Sequence, residues 1–279
     1  MKITLLVENT PKDASIKAEH GLSFFIETGG KKILLDTGQR SLFLENAALL
    51  GCDIAGADYA VLSHGHGDHS GGLAAFREVN PDAPVYMART ATRRCYVRSF
   101  GILYFNVGMD RAFANDEGIV FLDGDRELSP GVQAVVNIPR TSAYLTTSSN
   151  LYMRKGWRFE RDDFSHELAL VVREGETGTT CVFSSCSHTG LQNIMRNLAD
   201  KGLLGTRNLV FAGMHLYRAP GMQTESPAIL DRFAEDLAAF PDTTYYAGHC
   251  TGQVAYERLK TRLGERIRHM RCGDQFEIQ

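Results

Sequence analysis

The most informative stretch of the sequence is SHGHGDHSGG, at residues 63–72, which directly follows the apolar run at residues 59–62. It places three imidazoles and one carboxylate within six residues. Imidazole nitrogens and carboxylate oxygens are the ligands that borderline divalent ions such as zinc prefer. The four glycines of the stretch allow the backbone to fold tightly around a centre. The stretch therefore predicts a metal site in which one loop supplies ligands to two adjacent ions.

Length and composition indicate one large core. The chain has 279 residues, of which 43% are hydrophobic, and we expect a single domain over residues 1–279. The apolar run near the amino terminus is too short for a signal sequence, and no later segment has the length needed to span a bilayer. The six cysteines lack paired spacing, which is typical of a reducing compartment. These features predict a soluble, cytoplasmic protein.

The charge of the chain bears on its partners. The formal net charge is −3, so there is no overall basic field to attract nucleic acid. We therefore expect neither nucleic acid nor a membrane as a partner. A small-molecule substrate is the expected partner, and association into a homo-oligomer remains open.

Apolar periodicity predicts a meander followed by alternating strands and helices. The predicted strands lie at residues 2–7, 21–27, 32–36, 59–62, 84–87, 167–172, 179–184, 208–212 and 243–247. The predicted helices lie at residues 41–46, 71–79, 191–198, 229–237 and 253–263. A turn at residues 174–178 joins two of the strands into a hairpin. This order indicates an α/β (α+β) protein.

Several motifs carry a resemblance to a known family. The run LLDTG at residues 34–38, followed by SHGHGDHSGG, resembles the metallo-β-lactamase superfamily of binuclear metal hydrolases. SCSHTG at residues 185–190, AGMHL at residues 212–216 and GHCTG at residues 248–252 resemble the branch named after dihydropterin-ribofuranosylaminobenzene 5′-phosphate synthase. The resemblance extends over nearly the whole chain. It implies a four-layer αββα sandwich, with two mixed β-sheets between helices and a metal site where loops from both halves meet.

The resemblance also implies a division of the ligands between two ions. His64 and His66 are expected on the first ion, and Asp68 and His69 on the second. His249 matches the last histidine of the superfamily, which is expected on the second ion.

Two histidines compete for the remaining position on the first ion. The resemblance favours His188, because it lies in SCSHTG. The alternative ligand is His166, which stands just before a predicted strand. If it is not a ligand, its role is to hold a loop in place.

Three further residues are expected at or near the ions. Cys186 falls where superfamily hydrolases usually have an aspartate that bridges the two ions. A thiolate there would favour zinc, whereas a buried thiol would leave the second site weaker. Asp36 and Glu167 are expected to support ligand histidines without touching an ion.

The predicted site leads to three candidate functions. Bound divalent ions lower the pKa of a water molecule and polarise a carbonyl or phosphoryl oxygen. The first candidate is thus a metal-dependent hydrolase that acts through metal-bound hydroxide on a small substrate with phosphate or aromatic groups. Asp68 would orient the hydroxide, and His215 would protonate or bind a leaving oxygen, with a structural role as its alternative. Zinc is the favoured ion, and iron and manganese are alternatives.

The branch implies a different reaction as the second candidate. In such a transferase the ions hold a diphosphate leaving group while an aryl amine attacks a pterin methylene carbon. The third candidate is a metal-dependent binding protein without catalytic activity.

Residues 89–165 have no clear partner in a minimal fold of this superfamily and are expected to form an insertion around the substrate pocket. The aromatic side chains of the insertion would stack on a flat ring of the substrate, or else pack in the core. Its arginines would bind a phosphate group, or else lie on a solvated surface. These residues are Tyr96, Phe100, Tyr104, Phe105, Tyr144, Tyr152, Trp157, Phe159, Arg89, Arg93, Arg94 and Arg98.

Overall fold

Two seven-stranded sheets dominate the computed structural model, which describes residues 1–175, 178–218 and 223–278. The first sheet contains, in spatial order, Gln275–Glu277 (β20), Lys2–Val7 (β1), Ser23–Thr28 (β2), Lys31–Leu35 (β3), Tyr59–Leu62 (β4), Val85–Ala88 (β5) and Ile119–Leu122 (β8). The second contains Ile267–His269 (β19), Thr243–Gly248 (β18), Arg207–Gly213 (β15), Thr179–Ser184 (β14), Ala169–Glu174 (β13), Val132–Val135 (β10) and Arg126–Ser129 (β9). The turn predicted at residues 174–178 includes residues 176 and 177, which lie outside the described part.

The described residues form six α-helices, which are Leu42–Leu50 (α1), Gly67–Ser70 (α2), Leu73–Val79 (α3), Leu191–Asp200 (α4), Pro227–Ala238 (α5) and Gln253–Leu263 (α6). Five of these six α-helices lie on the outer faces of the two sheets, and α2 lies in the loop that carries Asp68 and His69. Short 3₁₀ turns occupy Arg89–Thr92, Arg111–Asn115, Thr147–Asn150, His249–Thr251 and Gly264–Arg266. Among the described residues, no helix combines the length and the apolar character that crossing a bilayer requires.

The central strands bury both faces, which explains their nearly continuous apolar sequences. Phe183 and Phe211 point towards the first sheet, where the Phe24 ring lies 5.4 Å from the Phe183 ring. Val182 and Val210, one residue away on the same strands, pack instead among the side chains of α4, α5 and α6. A third cluster packs the first sheet against α1 and α3. The predicted αββα layering is confirmed.

Parallel strands bring the chemically interesting loops to one edge. β3 and β4 are parallel, as are β14, β15 and β18. Because the carboxyl ends of parallel strands lie on the same side of a sheet, the loops that follow them converge. These loops contain residues 36–38, 63–66, 185–190, 214–216 and 249–252.

The segment at residues 89–165 is divided between two parts of the structure. Strands β8, β9 and β10 extend the two large sheets. The remainder includes a separate four-stranded sheet of Arg158–Arg161 (β12), Leu151–Lys155 (β11), Cys95–Ser99 (β6) and Leu103–Asn106 (β7). A two-stranded ribbon of Tyr217–Arg218 (β16) and Gln223–Thr224 (β17) lies apart from these sheets.

Candidate metal centre

The loop after β4 fits its surroundings only because it contains glycine. A Cβ placed on Gly65 would lie 2.2 Å from the carbonyl oxygen of Ala91. A Cβ on Gly71 would lie 2.1 Å from the carbonyl oxygen of Gln39. Both distances are shorter than any van der Waals contact, so a side chain at either position would displace the backbone. The close approach of neighbouring backbone thus explains these glycines of the motif.

Three buried histidines form a first centre. The Nε2 of His188 lies 3.1 Å from the Nδ1 of His66. The ring of His64 lies 4.7 Å from that of His66 and 5.1 Å from that of His188, between centroids. The Nε2 of His64 is buried and has no hydrogen-bond partner among the described residues. A metal ion at this point would satisfy that nitrogen.

The electrostatics of the first centre favour neutral imidazoles, which is the form that binds a metal. Burial and the neighbouring His69 lower the pKa of His64 well below its usual value. Burial, together with His166, lowers the pKa of His66 to about 3. Burial and His215 lower the pKa of His188. All three rings therefore keep a nitrogen lone pair at neutral pH.

A carboxylate and two histidines form a second centre beside the first. The Oδ2 of Asp68 lies 3.3 Å from the Nε2 of His249 and 3.7 Å from the Nε2 of His69. The two Nε2 atoms are 3.2 Å apart. Burial opposes the ionisation of Asp68, but the charge of His69 and a hydrogen bond from His20 outweigh it, so the pKa of Asp68 lies well below its usual value. These atoms are an oxygen and two nitrogens, a donor set that suits zinc.

Asp36 orients a histidine of the second centre from behind. Its Oδ2 lies 2.9 Å from the Nδ1 of His69, and its Oδ1 accepts the backbone N–H of Ser63 at 2.7 Å. The hydroxyl of Ser63 donates to Oδ2 at 2.7 Å and also contacts the Nδ1 of His64 at 2.9 Å. Asp36 thus holds one ring of each centre, directly or through Ser63. This carboxylate–histidine arrangement is common behind metal ligands.

Glu8 and Asn9, which the sequence motifs did not reveal, hold His249. A carboxylate oxygen of Glu8 accepts the backbone N–H of His249 at 2.6 Å. The Oδ1 of Asn9 lies 3.0 Å from the Nδ1 of His249, so the Nε2 points towards Asp68. His249 has a φ of 50°, in the left-handed region, and these contacts hold it there. Both residues follow β1 and carry no motif that would have identified them.

Glu167 holds the loop that carries His188. Its carboxylate accepts the backbone N–H of His188 at 2.6 Å, the backbone N–H of Thr189 at 2.9 Å and the Thr189 hydroxyl at 2.7 Å. Burial raises the pKa of Glu167, and these three donors oppose that rise. Ser187, just before, has a φ of 53°. One buried carboxylate therefore accepts three hydrogen bonds from this loop.

Replacement of Glu167 by alanine is expected to weaken metal binding at the first centre by about 10- to 100-fold, the usual cost of losing a partner that orients a ligand. The measurement is a Zn²⁺ titration against a chromophoric chelator. Glu160→Ala, which removes an exposed carboxylate on β12, is the matched control. An unchanged affinity in Glu167→Ala would contradict this role.

His166 also lies beside the first centre, with its ring centroid 5.4 Å from that of His66 and 6.0 Å from that of His64. The Nδ1 of His166 accepts the backbone N–H of Gly65 at 3.2 Å, and its Nε2 lies 3.2 Å from a carboxylate oxygen of Asp162. Both ring nitrogens of His166 thus contact protein groups, and His166 holds the loop at residues 63–72 in place.

Two cysteines and a histidine extend the site on the side of β14 and β15. The Sγ of Cys186 lies 3.2 Å from the Nε2 of His69 and 3.5 Å from the Sγ of Cys250. Burial raises the pKa of the Cys186 thiol well above its usual value. Cys250 also accepts the backbone N–H of His215 at 3.2 Å. The ring of His215 lies 4.2 Å from that of His188, and its Nδ1 is buried without a hydrogen-bond partner in the described ranges.

A cavity of about 780 Å³ opens onto both centres. Asp68, His188, His215 and His249 line it, together with Phe100, Phe105 and Leu151 from the small sheet. The other aromatics named from the sequence lie elsewhere: Tyr104 stacks on Phe159 at 3.9 Å, Tyr144 donates to Asp236, and Trp157 is exposed. Of the arginines, Arg89 pairs with Asp123 at the surface, and Arg98 donates to the carbonyl oxygen of Gly101.

Comparisons with known proteins identify a matching family model and several similar proteins. The family model of the metallo-beta-lactamase superfamily matches residues 16–139. Two proteins of Methanocaldococcus jannaschii are similar over most of the chain. One is an uncharacterized protein, 26% identical over 92% of this chain and 93% of its own. The other, 7,8-dihydropterin-6-methyl-4-(beta-D-ribofuranosyl)-aminobenzene-5'-phosphate synthase, is 25% identical over 92% of this chain and 89% of its own.

Solved structures have the same fold. A metal-dependent hydrolase of the beta-lactamase superfamily aligns with a TM-score of 0.83 at 23% identity, covering 100% of this chain and 99% of that one. A metallo-beta-lactamase fold protein from Bacillus subtilis aligns with a TM-score of 0.55 at 14% identity, covering 99% of this chain and 98% of that one. Residues 16–139 therefore match the metallo-beta-lactamase superfamily model, and the chain has the αββα fold of these solved structures.

Proposed function

We propose that this protein is a hydrolase that uses two divalent metal ions, with zinc as the favoured ion. The observation that carries the proposal is the convergence of neutral, buried imidazoles on one point, where the Nε2 of His64 has no protein partner among the described residues. His64, His66 and His188 would hold the first ion, and Asp68, His69 and His249 the second. When bound, such ions lower the pKa of a water molecule and polarise a substrate oxygen.

The residues of the chain would then perform the remaining tasks. Asp68 lines the cavity and would orient the attacking water as well as bind an ion. His215 lines the same cavity and would donate a proton to the leaving oxygen of the substrate. In hydrolysis of an aryl phosphate, the water oxygen would form the new bond to phosphorus and release one proton to solvent. The bond from phosphorus to the aryl oxygen would break, and that oxygen would take the proton from His215.

The small sheet supplies the apolar wall of the cavity, which favours a substrate with an aromatic or similarly flat apolar part. Val97, Phe100, Phe105 and Leu151 lie on this wall. Arg218, from β16, also lines the cavity and is the cation within it that suits an anionic group such as phosphate. A phosphorylated aromatic molecule would use both features.

Replacement of Phe105 by alanine is expected to raise KM for an aryl phosphate about fivefold with little change in kcat. The reason is the loss of an aromatic contact worth about 1 kcal/mol that is equal in the ground state and the transition state. Steady-state kinetics with bis(p-nitrophenyl) phosphate provides the measurement. Leu103→Ala is the matched control, because Leu103 is equally exposed on the same strand but lies outside the cavity lining. Equal KM values for the two variants would remove Phe105 from the substrate site.

The hydrolase proposal is tested by metal analysis and turnover together. Plasma mass spectrometry of the purified protein should give about two ions per chain, and His249→Ala should reduce this towards one. Cys186→Ala shows whether the thiol takes part in binding, since a lower ion count in this variant would place Cys186 on a metal. Chelation should abolish release of p-nitrophenol from bis(p-nitrophenyl) phosphate, and Zn²⁺ or Mn²⁺ should restore it. Release that survives chelation would overturn the mechanism.

The similarity to the M. jannaschii synthase favours a transferase as a second candidate. In that reaction an aryl amine nitrogen would attack a pterin methylene carbon as the bond to diphosphate breaks, and the amine would lose a proton. Product should then appear only when a pterin methyl diphosphate and the aryl amine are both supplied. Hydrolysis of the diphosphate alone would count against it. A binding protein without catalytic activity would retain ligand in the presence of metal and form no product in either assay.

A further inference from the structure

An imidazole outside the sequence motifs lies against the second centre. His20 precedes β2, and its Nε2 is 3.2 Å from the Oδ2 of Asp68. Its ring centroid lies 4.9 Å from that of His249. Donor atoms of His20, Asp68 and His249 all lie within 4.8 Å of one another. His20 is therefore within reach of an ion held by Asp68 and His249.

The backbone next to His20 packs closely against the backbone of the second centre. A Cβ placed on Gly21 would lie 2.5 Å from the carbonyl oxygen of Asp68, so glycine lets the two backbone segments meet. The N–H of Gly21 donates to the Oδ1 of Asn9 at 3.3 Å, and the same oxygen lies 3.0 Å from the Nδ1 of His249. The position of His20 is thus tied to both Asp68 and His249, although half of its side chain is exposed to the cavity.

The distances from Asp68 to His20 and His249 match those between two ligands of one ion. Around a tetrahedral zinc ion with bonds of about 2.0–2.1 Å, neighbouring donor atoms lie about 3.3 Å apart. The Oδ2 of Asp68 lies 3.2 Å from the Nε2 of His20 and 3.3 Å from the Nε2 of His249. The Nε2 atoms of His69 and His249 lie 3.2 Å apart. A single hydrogen bond between His20 and Asp68 would not account for the convergence of three imidazoles on one carboxylate oxygen.

We propose that His20 is a fourth protein ligand of the second ion, an inference that rests on the two-ion site of the proposed function. The second ion then has Asp68, His69, His249 and His20 around it, whereas the first has only three histidines. Structural zinc sites have four protein ligands, and catalytic zinc sites have three and an open position. The open position for substrate would therefore be on the first ion. The second ion would contribute its positive charge next to that position.

The test is metal binding by His20→Ala and His20→Gln, measured without reference to activity. Each protein is freed of metal by chelation and titrated with Zn²⁺ against a chromophoric chelator, and with Co²⁺, whose visible absorption reports the number of ligands. Glutamine keeps an N–H donor for Asp68 but is a poor zinc ligand, so it separates coordination from hydrogen bonding. His269→Ala is the control, since it removes an exposed imidazole that stacks on Tyr256.

Both His20 variants should bind the first ion as the wild type does and the second more than about 100-fold more weakly, since loss of a ligand exceeds the 10- to 100-fold cost of losing an outer partner. The Co²⁺ spectrum of the second site should change in both, and His269→Ala should match the wild type. Wild-type affinity in His20→Gln would overturn the proposal and assign His20 a hydrogen bond to Asp68. A wild-type protein that binds fewer than two ions would overturn the binuclear site and the proposed function with it.

Discussion

Replacement of His66 by alanine is expected to reduce kcat/KM for bis(p-nitrophenyl) phosphate by more than about 1000-fold. The Nδ1 of His66 and the Nε2 of His188 lie 3.1 Å apart, and the loss of one of three ligands leaves the first ion without a stable site. That ion would contribute several kcal/mol to the stabilisation of charge in the transition state, and each 1.4 kcal/mol corresponds to about a tenfold change in rate. The measurement is steady-state turnover combined with metal analysis.

The metal content of His66→Ala separates this explanation from misfolding. It should fall from about two ions per chain towards one, while the circular dichroism spectrum stays that of the wild type. His269→Ala should retain both activity and metal. A His66→Ala protein that keeps both its ions and its turnover would show that the reaction does not depend on the first centre.

Substitution of Gly65 by alanine is expected to lower the free energy of unfolding by about 1–3 kcal/mol and to reduce the affinity for both ions. A methyl group there would lie 2.2 Å from the carbonyl oxygen of Ala91, and backbone atoms on both sides would have to separate. The shift would also disturb the hydrogen bond from the Gly65 N–H to His166 and the placement of His64 and His66. Denaturant unfolding and Zn²⁺ titration measure the two effects.

Gly124→Ala provides the matched control for this substitution. A Cβ on Gly124 meets nothing within 4 Å, and its backbone does not require a positive φ. Stability should therefore be almost unchanged in that variant. Equal stability of Gly65→Ala and Gly124→Ala would mean that the loop at residues 63–72 can shift to make room for a methyl group. That result would contradict the tight packing around Gly65.

Some parts of this architecture could be predicted because their signals are local. The apolar runs of β14 and β15 are buried on both faces, and such runs are recognisable in a sequence. Residues 63–72 contain four candidate ligands in one loop, so the sequence alone brings them together. His188 and His249 follow strands, and the parallel order of β14, β15 and β18 explains why they approach the same point.

Other parts could not be predicted because their signals arise only from tertiary contact. Glu8, Asn9 and His20 lie in the loop between β1 and β2, and only the folded chain brings them to His249 and Asp68. The small sheet was missed for a different reason. Its strand β12 is exposed along its whole length. Because neither face of β12 is buried, its sequence need not alternate between apolar and polar residues, which is the pattern that identifies a strand. Contacts such as the stacking of Tyr104 on Phe159 hold this sheet instead.

The candidate ligands come from distant parts of the chain, and this has a consequence for the order of folding. His66 and His188 are 122 residues apart in sequence, and His69 and His249 are 180 residues apart. Each ion would act as a cross-link that closes a long loop, and such closures restrict the unfolded chain most strongly. The first centre is complete only when the loop after β14 has folded, and the second only when the loop after β18 has folded. Uptake of the second ion is therefore expected to wait until β18 has been synthesised, and the two ions would then cross-link the first sheet to the second.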